Sequence, residues 1–374
     1  MSHDPTTADL RAVLATDPPR RIAVFRALQL GDLLCVVPAL RALRRRFPGA
    51  ELTLIGLPWA AAFAARLPYL DHHETFPGYD GILEAPYDPV RTAAFVARMR
   101  QEPFDLAIQM HGDGSVTNGF VRDLGARRSL GYGPPGDDRL SVCLCHHPDD
   151  HEVVRWQRLV EVADAVPDSL LPEYPTTPAE EARAALLLTD VTTHPGPLVG
   201  LHAGARDPAR RWPAARFAAL GDALAEQYGA RIVLTGSAGE RAVTAAVRLA
   251  TRAPALDLTG RTDLGTFAAV LARLDLLVTN DTGASHLAAA TRTRSVVLFG
   301  PTQPRQWAPL DWERHTAVDA RALLGGEPAT ALARLPVAPV LAACEQALAL
   351  GREGARQRPA LLVAAGDAEA TWTI

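Results

Sequence analysis

Short apolar strands alternate with helical patterns along both halves of the chain, and this alternation restricts the possible fold more than any other feature. In the first half, RIAVF (21–25) and ELTLIGL (51–57) flank a helical pattern whose apolar residues recur every three or four positions. In the second half, a longer series of strands alternates with helices between residues 197 and 300. Such alternation is typical of doubly wound parallel sheets. We therefore predict an α/β protein with two Rossmann-like domains, each a doubly wound parallel sheet, facing each other across a central cleft.

A proline-rich stretch separates the two halves. The pattern breaks at LPEYPTTPAEEA (171–182) and resumes after THPGP (193–197). A chain of 374 residues has room for two domains of about 150 residues. The predicted parts are an N-terminal domain at 1–190 with a flexible segment at 1–20, a C-terminal domain at 191–335, and a helix with a tail at 336–374 that packs back on the N-terminal domain.

The charge and hydrophobicity of the chain exclude several classes of partner. The formal net charge is −4 at pH 7, so the chain has no overall basic field for nucleic acid. No apolar run approaches the length of about 18 residues that a membrane span needs. The N-terminus also lacks the basic and apolar regions of a signal peptide. We therefore expect a cytoplasmic protein without a nucleic-acid partner.

Two local clusters have simple structural explanations. Cys143 and Cys145 precede His146 and His147, but this spacing matches no common zinc site, and the alternation in LSVCLCHH indicates a strand. Arg41–Arg46 is a basic cluster on a predicted helix. It is either a solvated helix face or a contact surface for an anionic substrate or for anionic lipid at the inner face of the cytoplasmic membrane.

Ligands in open α/β sheets bind beyond the carboxyl ends of the strands, and the loop LQLGD (28–32) lies at such a place. Gly31 allows a tight turn there. Asp32 starts the following helix, where it is either an ordinary cap or a functional carboxylate, because Asp is a preferred capping residue.

Two loops of the second half are also candidate binding sites. In LHAGARDPARRWP (201–213), Arg210 and its neighbouring arginines, together with exposed backbone N–H groups, form a candidate anion site. In TGSAGER (235–241), glycines allow the backbone to approach a ligand, and Glu240 can accept hydrogen bonds from a sugar or a base. Solvated arginines and a plain helix-entry turn are the structural alternatives.

The loop DTGAS (281–285) connects a strand to a helix. The backbone N–H groups of Thr282 and Gly283 at the helix start suit a phosphate. Asp281 suits a ribose hydroxyl instead, because a carboxylate repels a phosphate. His286 lies in the first helical turn, as a donor to an anion or as a core residue.

Two motifs suggest other functions that the surrounding sequence excludes. Asp281-Thr282-Gly283 occurs in aspartic proteases, but such an enzyme needs a second carboxylate in a matching motif, and the chain has none. GYGPPG (131–136) has the spacing of a dinucleotide-binding loop. Its prolines remove N–H groups that a pyrophosphate would need, and no helical pattern begins there.

Five motifs occur together over roughly residues 21–310: LGDLLCVVPALRALRRRFPGAELTLIG, LHAGARDPARRWP, TGSAGER, NDTGASHLAAA and VVLFGPTQPRQWAP. In their order and spacing they resemble glycosyltransferase family 9, the ADP-heptose heptosyltransferases. The resemblance implies the GT-B fold, with the acceptor on the N-terminal domain and the nucleotide sugar on the C-terminal domain. It also implies inverting transfer of a sugar, most simply heptose from ADP-heptose, without a cofactor or a required metal.

The resemblance assigns roles to individual residues. Asp32 takes the position of the general base. Gly204 and Ala205 fall where the family has small or hydroxyl residues at the diphosphate. Neither carries a hydroxyl, so only backbone contacts remain there, and Arg210 lies where the family often has Lys. The implied donor-binding residues are Gly204, Ala205, Arg210, Glu240, Asp281, Thr282, Gly283 and His286.

The acceptor and the exact donor stay open in the sequence. Gly31 and the loops 109–119 and 146–156 supply the acceptor-side candidates, and the acceptor is a glycan, a lipid-linked molecule or a small molecule. One alternative is a GT-B transferase or epimerase that uses another nucleotide sugar, and another is a nucleotide-sugar-binding protein without catalysis. The candidates from the two loops are His111, Asp113 and His151, with ordinary loop residues as the alternative.

Overall fold

The computed structural model describes residues 5–356, which form two six-stranded sheets with helices packed on them. In the first sheet all neighbouring strands are parallel, in the order β3-β2-β1-β4-β5-β6. The strands are β1 (Arg21–Phe25), β2 (Glu51–Gly56), β3 (His72–Thr75), β4 (Leu106–Gln109), β5 (Arg128–Gly133) and β6 (Val142–Cys145). The helices are α1 (Pro5–Thr16), α2 (Leu30–Arg46), α3 (Ala60–Ala64), α4 (Pro89–Gln101), α5 (Thr117–Asp123) and α6 (Glu152–Glu161).

The second sheet is also parallel throughout, in the order β12-β11-β10-β7-β8-β9. Its strands are β7 (Leu198–His202), β8 (Arg231–Leu234), β9 (Ala255–Asp257), β10 (Leu276–Asn280), β11 (Ser295–Phe299) and β12 (His315–Asp319). The helices of this half are α7 (Pro178–Leu187), α8 (Thr189–Thr192), α9 (Ala214–Tyr228), α10 (Arg241–Ala250), α11 (Leu264–Leu271), α12 (Gly283–Ala290), α13 (Pro304–Trp307), α14 (Ala320–Leu324), α15 (Pro328–Arg334) and α16 (Val337–Arg356).

The predicted fold class is confirmed: both halves are doubly wound parallel sheets. In each sheet the strand order reverses next to the first strand, between β1 and β4 and between β7 and β10. Ligands bind at such switch points, beyond the carboxyl ends of the strands. Every residue of β7 and of β10 is buried, as expected for strands covered on both faces.

Both ends of the described chain differ from the prediction. Within the segment 1–20, expected to be flexible, residues 5–16 form α1, and Leu10 and Leu14 are buried in the core of the first half. The last helix was expected to pack on the N-terminal domain, but α16 packs on α9 and on β10, β11 and β12. Its stripe Val340, Cys344 and Leu348 recurs every four residues and joins the core of the second half. Residues 357–374 of the predicted tail lie outside the described part.

The proline-rich stretch 171–182 contains the start of a helix, because α7 begins at Pro178. Glu180 of α7 pairs with Arg66 of the first half, and α7 also packs on α11 of the second half. A Cβ added to Gly265 of α11 would lie 1.7 Å from Glu180 Oε1, so the helices approach closely there. The predicted boundary at residue 190 lies inside α8, and α7 bridges the two halves.

The arginines of the basic cluster Arg41–Arg46 have partners within the protein. Arg41 and Arg45 pair with Asp168, Arg44 with Asp71, and Arg46 with Asp164. The cluster is therefore an intramolecular network rather than a free basic patch for lipid. Within residues 5–356, no helix alone is long and apolar enough to span a membrane. The pair Pro328–Arg334 and Val337–Gly351 passes that test jointly, with a bend of 76°.

The two halves share one hydrophobic core beneath the space between the sheets. Leu33 and Val37 of α2 belong to the same buried cluster as Ala284 and Leu287 of α12. Gly283 lets α12 approach closely, because a Cβ there would lie 3.3 Å from the Leu30 side chain. The start of α2 and the start of α12 are thereby held side by side.

Candidate active site

A cleft with a volume of about 650 Å³ opens at the switch points of the two sheets, and both halves contribute to its wall. The first half contributes the turn Gln29–Asp32, and the loops after β7, β8, β9, β10 and β11 contribute the rest. Most of the predicted site lies in this wall, namely Gly31, Asp32, Ala205, Arg210, Glu240, Asp281, Thr282, Gly283 and His286. The wall also contains residues that sequence analysis did not identify as site residues, including His202, Ser237, Asp263, Phe267 and Trp307.

Asp32 is the third residue of α2 and combines capping with exposure to the cleft. The N–H group of Gln29 donates to its Oδ2 at 3.2 Å, which closes the first turn of the helix. Arg26 Nη2 lies 3.5 Å from Oδ1. With 23% of its side chain exposed, the carboxylate remains accessible from the cleft. The two sequence interpretations, cap and functional carboxylate, are therefore compatible.

Arg26 follows β1 directly and is completely buried behind Asp32. Its Nε donates to the backbone carbonyl of Asp32 at 2.7 Å, and Nη1 donates to the carbonyl of Met110. Its Nη2 reaches Glu152 Oε1 at 3.1 Å, and its guanidinium carbon lies 4.7 Å from the ring centre of Trp156. Sequence analysis missed this arginine, although its place at the carboxyl end of a buried strand is a usable signal.

Glu152 begins α6 and is 7% exposed. Trp156 Nε1 donates to its Oε1 at 2.8 Å, and Arg155 Nη1 donates to its Oε2 at 3.2 Å. Burial raises the pKa of Glu152, but the charges of Arg26 and Arg155 outweigh burial and bring the pKa below its ordinary value. Glu152 is therefore a buried, ionised carboxylate near the candidate base.

Asp281 is 3% exposed and has partners within the protein. Thr302 Oγ1 donates to its Oδ2 at 2.6 Å, and Arg210 Nη1 lies 3.5 Å from the same oxygen. Asp281 thus holds Arg210 at the wall of the cleft. Both of these contacts are to Oδ2.

Gly204 is required by the position of Glu240. A Cβ on Gly204 would lie 1.9 Å from Glu240 Oε1, and the N–H group of Ser237 donates to Oε2 at 2.7 Å. Buried Asn280 donates to the carbonyls of Ala203 and Gly204 at 3.0 and 3.1 Å. This amide ties the end of β10 to the loop after β7, so the predicted donor-side loops form one unit.

His202 and Phe267 form an aromatic wall beside Glu240. Their ring centres lie 5.8 Å apart in a stacked arrangement, and His202 Nδ1 lies 3.1 Å from Thr235 Oγ1. Burial lowers the pKa of His202, so the ring is neutral near pH 7. A flat apolar wall next to a carboxylate is suited to a nucleoside.

His286 lies where the two halves meet. A Cβ on Gly31 would lie 2.7 Å from His286 Cδ2, so only glycine at position 31 leaves room for this ring. Cys35 Sγ lies 3.7 Å from His286 Nδ1, and the Trp307 ring stands at its edge with ring centres 6.2 Å apart. Burial lowers the pKa of His286. A neutral imidazole here fills the contact between α2 and α12.

Of the four acceptor-side candidates, Gly31 lines the cleft and the other three do not. His111 is buried behind it, stacked on Phe25 with ring centres 5.0 Å apart, and its Nδ1 accepts the N–H group of Ala27 at 3.2 Å. Burial lowers the pKa of His111 to about 3. Asp113 accepts from the N–H and hydroxyl groups of Ser115 at 2.9 and 2.7 Å. Both residues therefore organise the loop after β4.

His151, the third candidate, takes part in a contact between the two halves. Its Nδ1 accepts the N–H group of Val153 at 3.2 Å, so its Nε2 carries the proton and donates to the carbonyl of Ala308 at 2.7 Å. Beside it, Arg305 pairs with Asp149. We call these two contacts, Asp149–Arg305 and His151–Ala308, the interdomain clasp.

The cysteine-containing stretch forms the predicted strand, β6. Cys143 Sγ lies 3.8 Å from Asn118 Nδ2, and Cys145 is exposed. Across residues 5–356, no group of three or more His, Cys, Asp or Glu side chains is arranged to hold a metal ion.

Two Rossmann-like sheets that enclose one cleft at their switch points form the GT-B architecture. The arginine, the carboxylates and the helix start in this cleft suit a nucleotide-sugar-dependent transferase. The sequence profile of glycosyltransferase family 9 (heptosyltransferase) matches residues 92–321, which is more than half of the chain, and the chain belongs to this family. It is therefore a glycosyltransferase.

Individual relatives agree with this assignment. The chain is 26% identical over 297 residues to lipooligosaccharide heptosyltransferase 2 of Haemophilus influenzae, covering 75% of this chain and 83% of that protein. The fold is similar to that of a family 9 glycosyltransferase of Veillonella parvula, with a TM-score of 0.74, 19% identity and coverage of 88% and 97%. It is also similar to that of the ADP-heptose lps heptosyltransferase II of E. coli, with a TM-score of 0.70, 22% identity and coverage of 90% and 99%.

Proposed function

We propose that the protein transfers a heptose from ADP-heptose to a hydroxyl of a saccharide acceptor, with inversion and with Asp32 as the general base. The observation that carries this proposal is that the accessible carboxylate of Asp32 shares one cleft with the donor-binding candidates of the second half. The relative named as a lipooligosaccharide heptosyltransferase supports heptose as the sugar and a lipooligosaccharide core as the acceptor. The neighbour named as an ADP-heptose enzyme supports the nucleotide.

The C-terminal domain, residues 191–335, holds the donor in this proposal. The nucleoside lies beside Glu240 and the wall of His202 and Phe267. The diphosphate lies against the backbone of Gly204 and Ala205 and against the first turn of α12 at Thr282 and Gly283, because free N–H groups at a helix start bind anions. Arg210, held by Asp281, adds a positive charge, so the protein itself supplies the charges that a metal would otherwise provide.

Asp32 takes the proton of the acceptor hydroxyl. The hydroxyl oxygen attacks the anomeric carbon from the face opposite ADP, and its proton passes to a carboxylate oxygen of Asp32 as the new C–O bond forms. The bond between the anomeric carbon and the β-phosphate oxygen breaks, and ADP leaves with its electron pair. Arg210 and the start of α12 stabilise the charge that develops on the leaving group.

The N-terminal domain, residues 1–190, is the acceptor side. Gly31 lies in the cleft wall next to Asp32. The loops with Asp113 and His151 follow β4 and β6, so they lie at the same edge of the sheet as Asp32. His111 supports this edge from behind through Phe25 and Ala27.

The test is the substitution Asp32→Asn, which keeps the size of the side chain and an acceptor for the N–H group of Gln29. We expect transfer to fall by about 100-fold or more, because the proton loses its acceptor. The Kd for ADP-heptose should stay within about threefold, because the donor is held by the other half. The product is measured by mass spectrometry with ADP-heptose and a deacylated, truncated lipooligosaccharide core.

Asp190→Asn, at an exposed position on α8, is the matched control. Normal transfer by Asp32→Asn would show that Asp32 acts only as a helix cap and would contradict the proposed mechanism. If product forms only with another nucleotide sugar, the transferred sugar is not heptose. Donor binding by the unaltered protein without product from any acceptor would favour a binding protein without catalysis.

A further inference from the structure

Behind Asp32, the charge of Arg26 is balanced by two carboxylates. Nη2 of this buried guanidinium lies 3.1 Å from Glu152 Oε1 and 3.5 Å from Asp32 Oδ1. An enclosed charge needs such partners, because moving an ion out of water without compensation is costly. The shorter contact is the one to Glu152, so Glu152 competes with Asp32 for Arg26.

Glu152 is itself held in one orientation. Trp156 Nε1 donates to Oε1 at 2.8 Å, and Arg155 Nη1 donates to Oε2 at 3.2 Å. The Trp156 ring also lies 4.7 Å from the guanidinium carbon of Arg26 and 4.1 Å from that of Arg155. Both carboxylate oxygens of Glu152 thus accept hydrogen bonds, which fixes its orientation, so the position of Arg26 is defined from the side of α6.

We infer that Glu152, acting through Arg26, is a positioning residue for the carboxylate of Asp32. This inference rests on the proposed function, in which Asp32 is the general base. Glu152 holds Arg26 far enough from Asp32 that the carboxylate is oriented by the guanidinium without being committed to a tight ion pair. Asp32 then keeps an oxygen that can accept the proton of the acceptor.

The reason is electrostatic. Asp32 and Glu152 face Arg26 and Arg155, so the charges of the network balance. Without the charge of Glu152, Arg26 would have Asp32 as its remaining acidic partner in this network. A closer guanidinium stabilises the ionised form of a carboxylate and so weakens it as a base.

Other titratable groups near Asp32 do not take over this role. Cys35 lies on the same helix and His286 on α12. Burial raises the pKa of Cys35 and lowers the pKa of His286, so both are neutral near pH 7. From the second half, Asp281 and Arg210 face the cleft as a pair. Glu152 therefore provides the second negative charge at Arg26, on the same Nη2 that Asp32 approaches.

The decisive variant is Glu152→Gln, which keeps the size of the side chain and an oxygen for Arg26 but removes the charge. We expect kcat with ADP-heptose and the deacylated core to fall about tenfold, with the Kd for ADP-heptose within about twofold. The acidic limb of the kcat profile should move to lower pH, because removing a negative charge disfavours protonation of the base. Glu161→Gln, at the other end of α6, is the matched control and should leave kcat and the profile unchanged.

A second variant shifts the same profile in the opposite direction. Trp156→Phe keeps the charges and an aromatic ring but removes the N–H group that donates to Glu152 Oε1, so the charge of Glu152 is less compensated. We expect about threefold lower kcat and an acidic limb moved to higher pH. If thermal unfolding shows that Glu152→Gln does not fold, Trp156→Phe decides alone.

Opposite shifts of the acidic limb in Glu152→Gln and in Trp156→Phe support the inference, because a purely structural defect would not move the limb in opposite directions in the two variants. Unaltered pH profiles in the folded variants, or shifts of both profiles in the same direction, overturn the inference. If Asp32→Asn is inactive in the same experiments, the proposed function still stands. Normal transfer by Asp32→Asn overturns the inference and the proposed mechanism together.

Discussion

Asp32 and Asp281 share the wall of one cleft, but their surroundings suit them to different tasks. Asp32 is 23% exposed and shares its guanidinium partner with Glu152. Asp281 is 3% exposed, and Thr302 and Arg210 occupy its Oδ2. A general base must reach the proton it removes, whereas a buried carboxylate can fix the position of a neighbouring charge. The surroundings therefore favour Asp32 for proton transfer and Asp281 for donor binding.

At Asp281, we predict that Asp281→Asn weakens donor binding rather than proton transfer. Arg210 loses its charged partner, so the Kd for ADP should rise about tenfold while the kcat profile keeps its pH dependence. Calorimetry with ADP measures the first quantity and steady-state transfer the second, with Asp190→Asn as the control. An effect confined to the pH dependence of kcat would contradict this assignment.

The sequence identified most of the cleft because its loops carry local signals. Glycines, helix-start residues and the ends of apolar strands placed Asp32, Glu240 and the loop at Asp281 without knowledge of the fold. Glu152 also begins a helix, but its role was not visible in the sequence, because its partner Arg26 is 126 positions away. His111 was selected because it follows a strand, but its ring packs against Phe25, and only tertiary structure reveals the direction of a side chain.

Among the secondary-structure elements, the strands buried on both faces were the most predictable. The apolar runs of β1, β7, β10 and β11 were all identified, since such strands read as continuous hydrophobic stretches. The edge strand β3, with the sequence HHET, was not identified because its residues are partly or fully exposed. The helical spacing of VVRWQRLVEVADAV (153–166) continues beyond α6, which ends at Glu161 before Asp164 adopts a φ of 61°.

The pairing of β11 with β12 predicts a pH-dependent loss of stability. His315 is 2% exposed, its Nδ1 lies 2.8 Å from Ser295 Oγ, and burial lowers its pKa to about 4. Between about pH 6.5 and about pH 4, His315 is protonated in the unfolded chain but neutral in the native state. Stability should therefore fall as pH decreases through this window, by up to about 3 kcal/mol from this residue.

Urea unfolding of the unaltered protein and of His315→Asn tests this prediction. The variant keeps a polar group near Ser295 and loses the titration, so the difference in stability between the two proteins should shrink as the pH falls. His72→Asn, at a side chain that is 57% exposed, serves as the control. A constant difference across the window would contradict the prediction.

In the whole molecule, the two halves meet through two different kinds of contact. One is the apolar core that α2 and α12 share. The other is the interdomain clasp, which consists of an exposed ion pair and a hydrogen bond from His151 to a carbonyl. Exposed ion pairs contribute little stability, so the clasp can open while the core stays closed.

We predict that Arg305→Glu, which places two carboxylates together in the clasp, lowers kcat/KM about threefold at low salt. Added salt should reduce the defect, because the charges are exposed and therefore screened. The double variant Arg305→Glu with Asp149→Arg restores an opposite-charge pair and should recover activity. Steady-state transfer at low and high salt measures both effects, and a defect that persists in the double variant would exclude a role for charge pairing.

The contact of Gly31 with His286 bears on how such enzymes can be recombined. The sheet that carries the donor loops looks like an exchangeable module, so a chimera that combines it with another acceptor half is a natural construction. However, the glycine lies on one side of the junction and the ring on the other, with 2.7 Å between a Cβ at Gly31 and His286 Cδ2. A second half grafted onto a first half with any larger residue at this place would begin with a steric clash beside Asp32, the proposed general base. Gly31 and His286 therefore have to be inherited together, even though they belong to different domains.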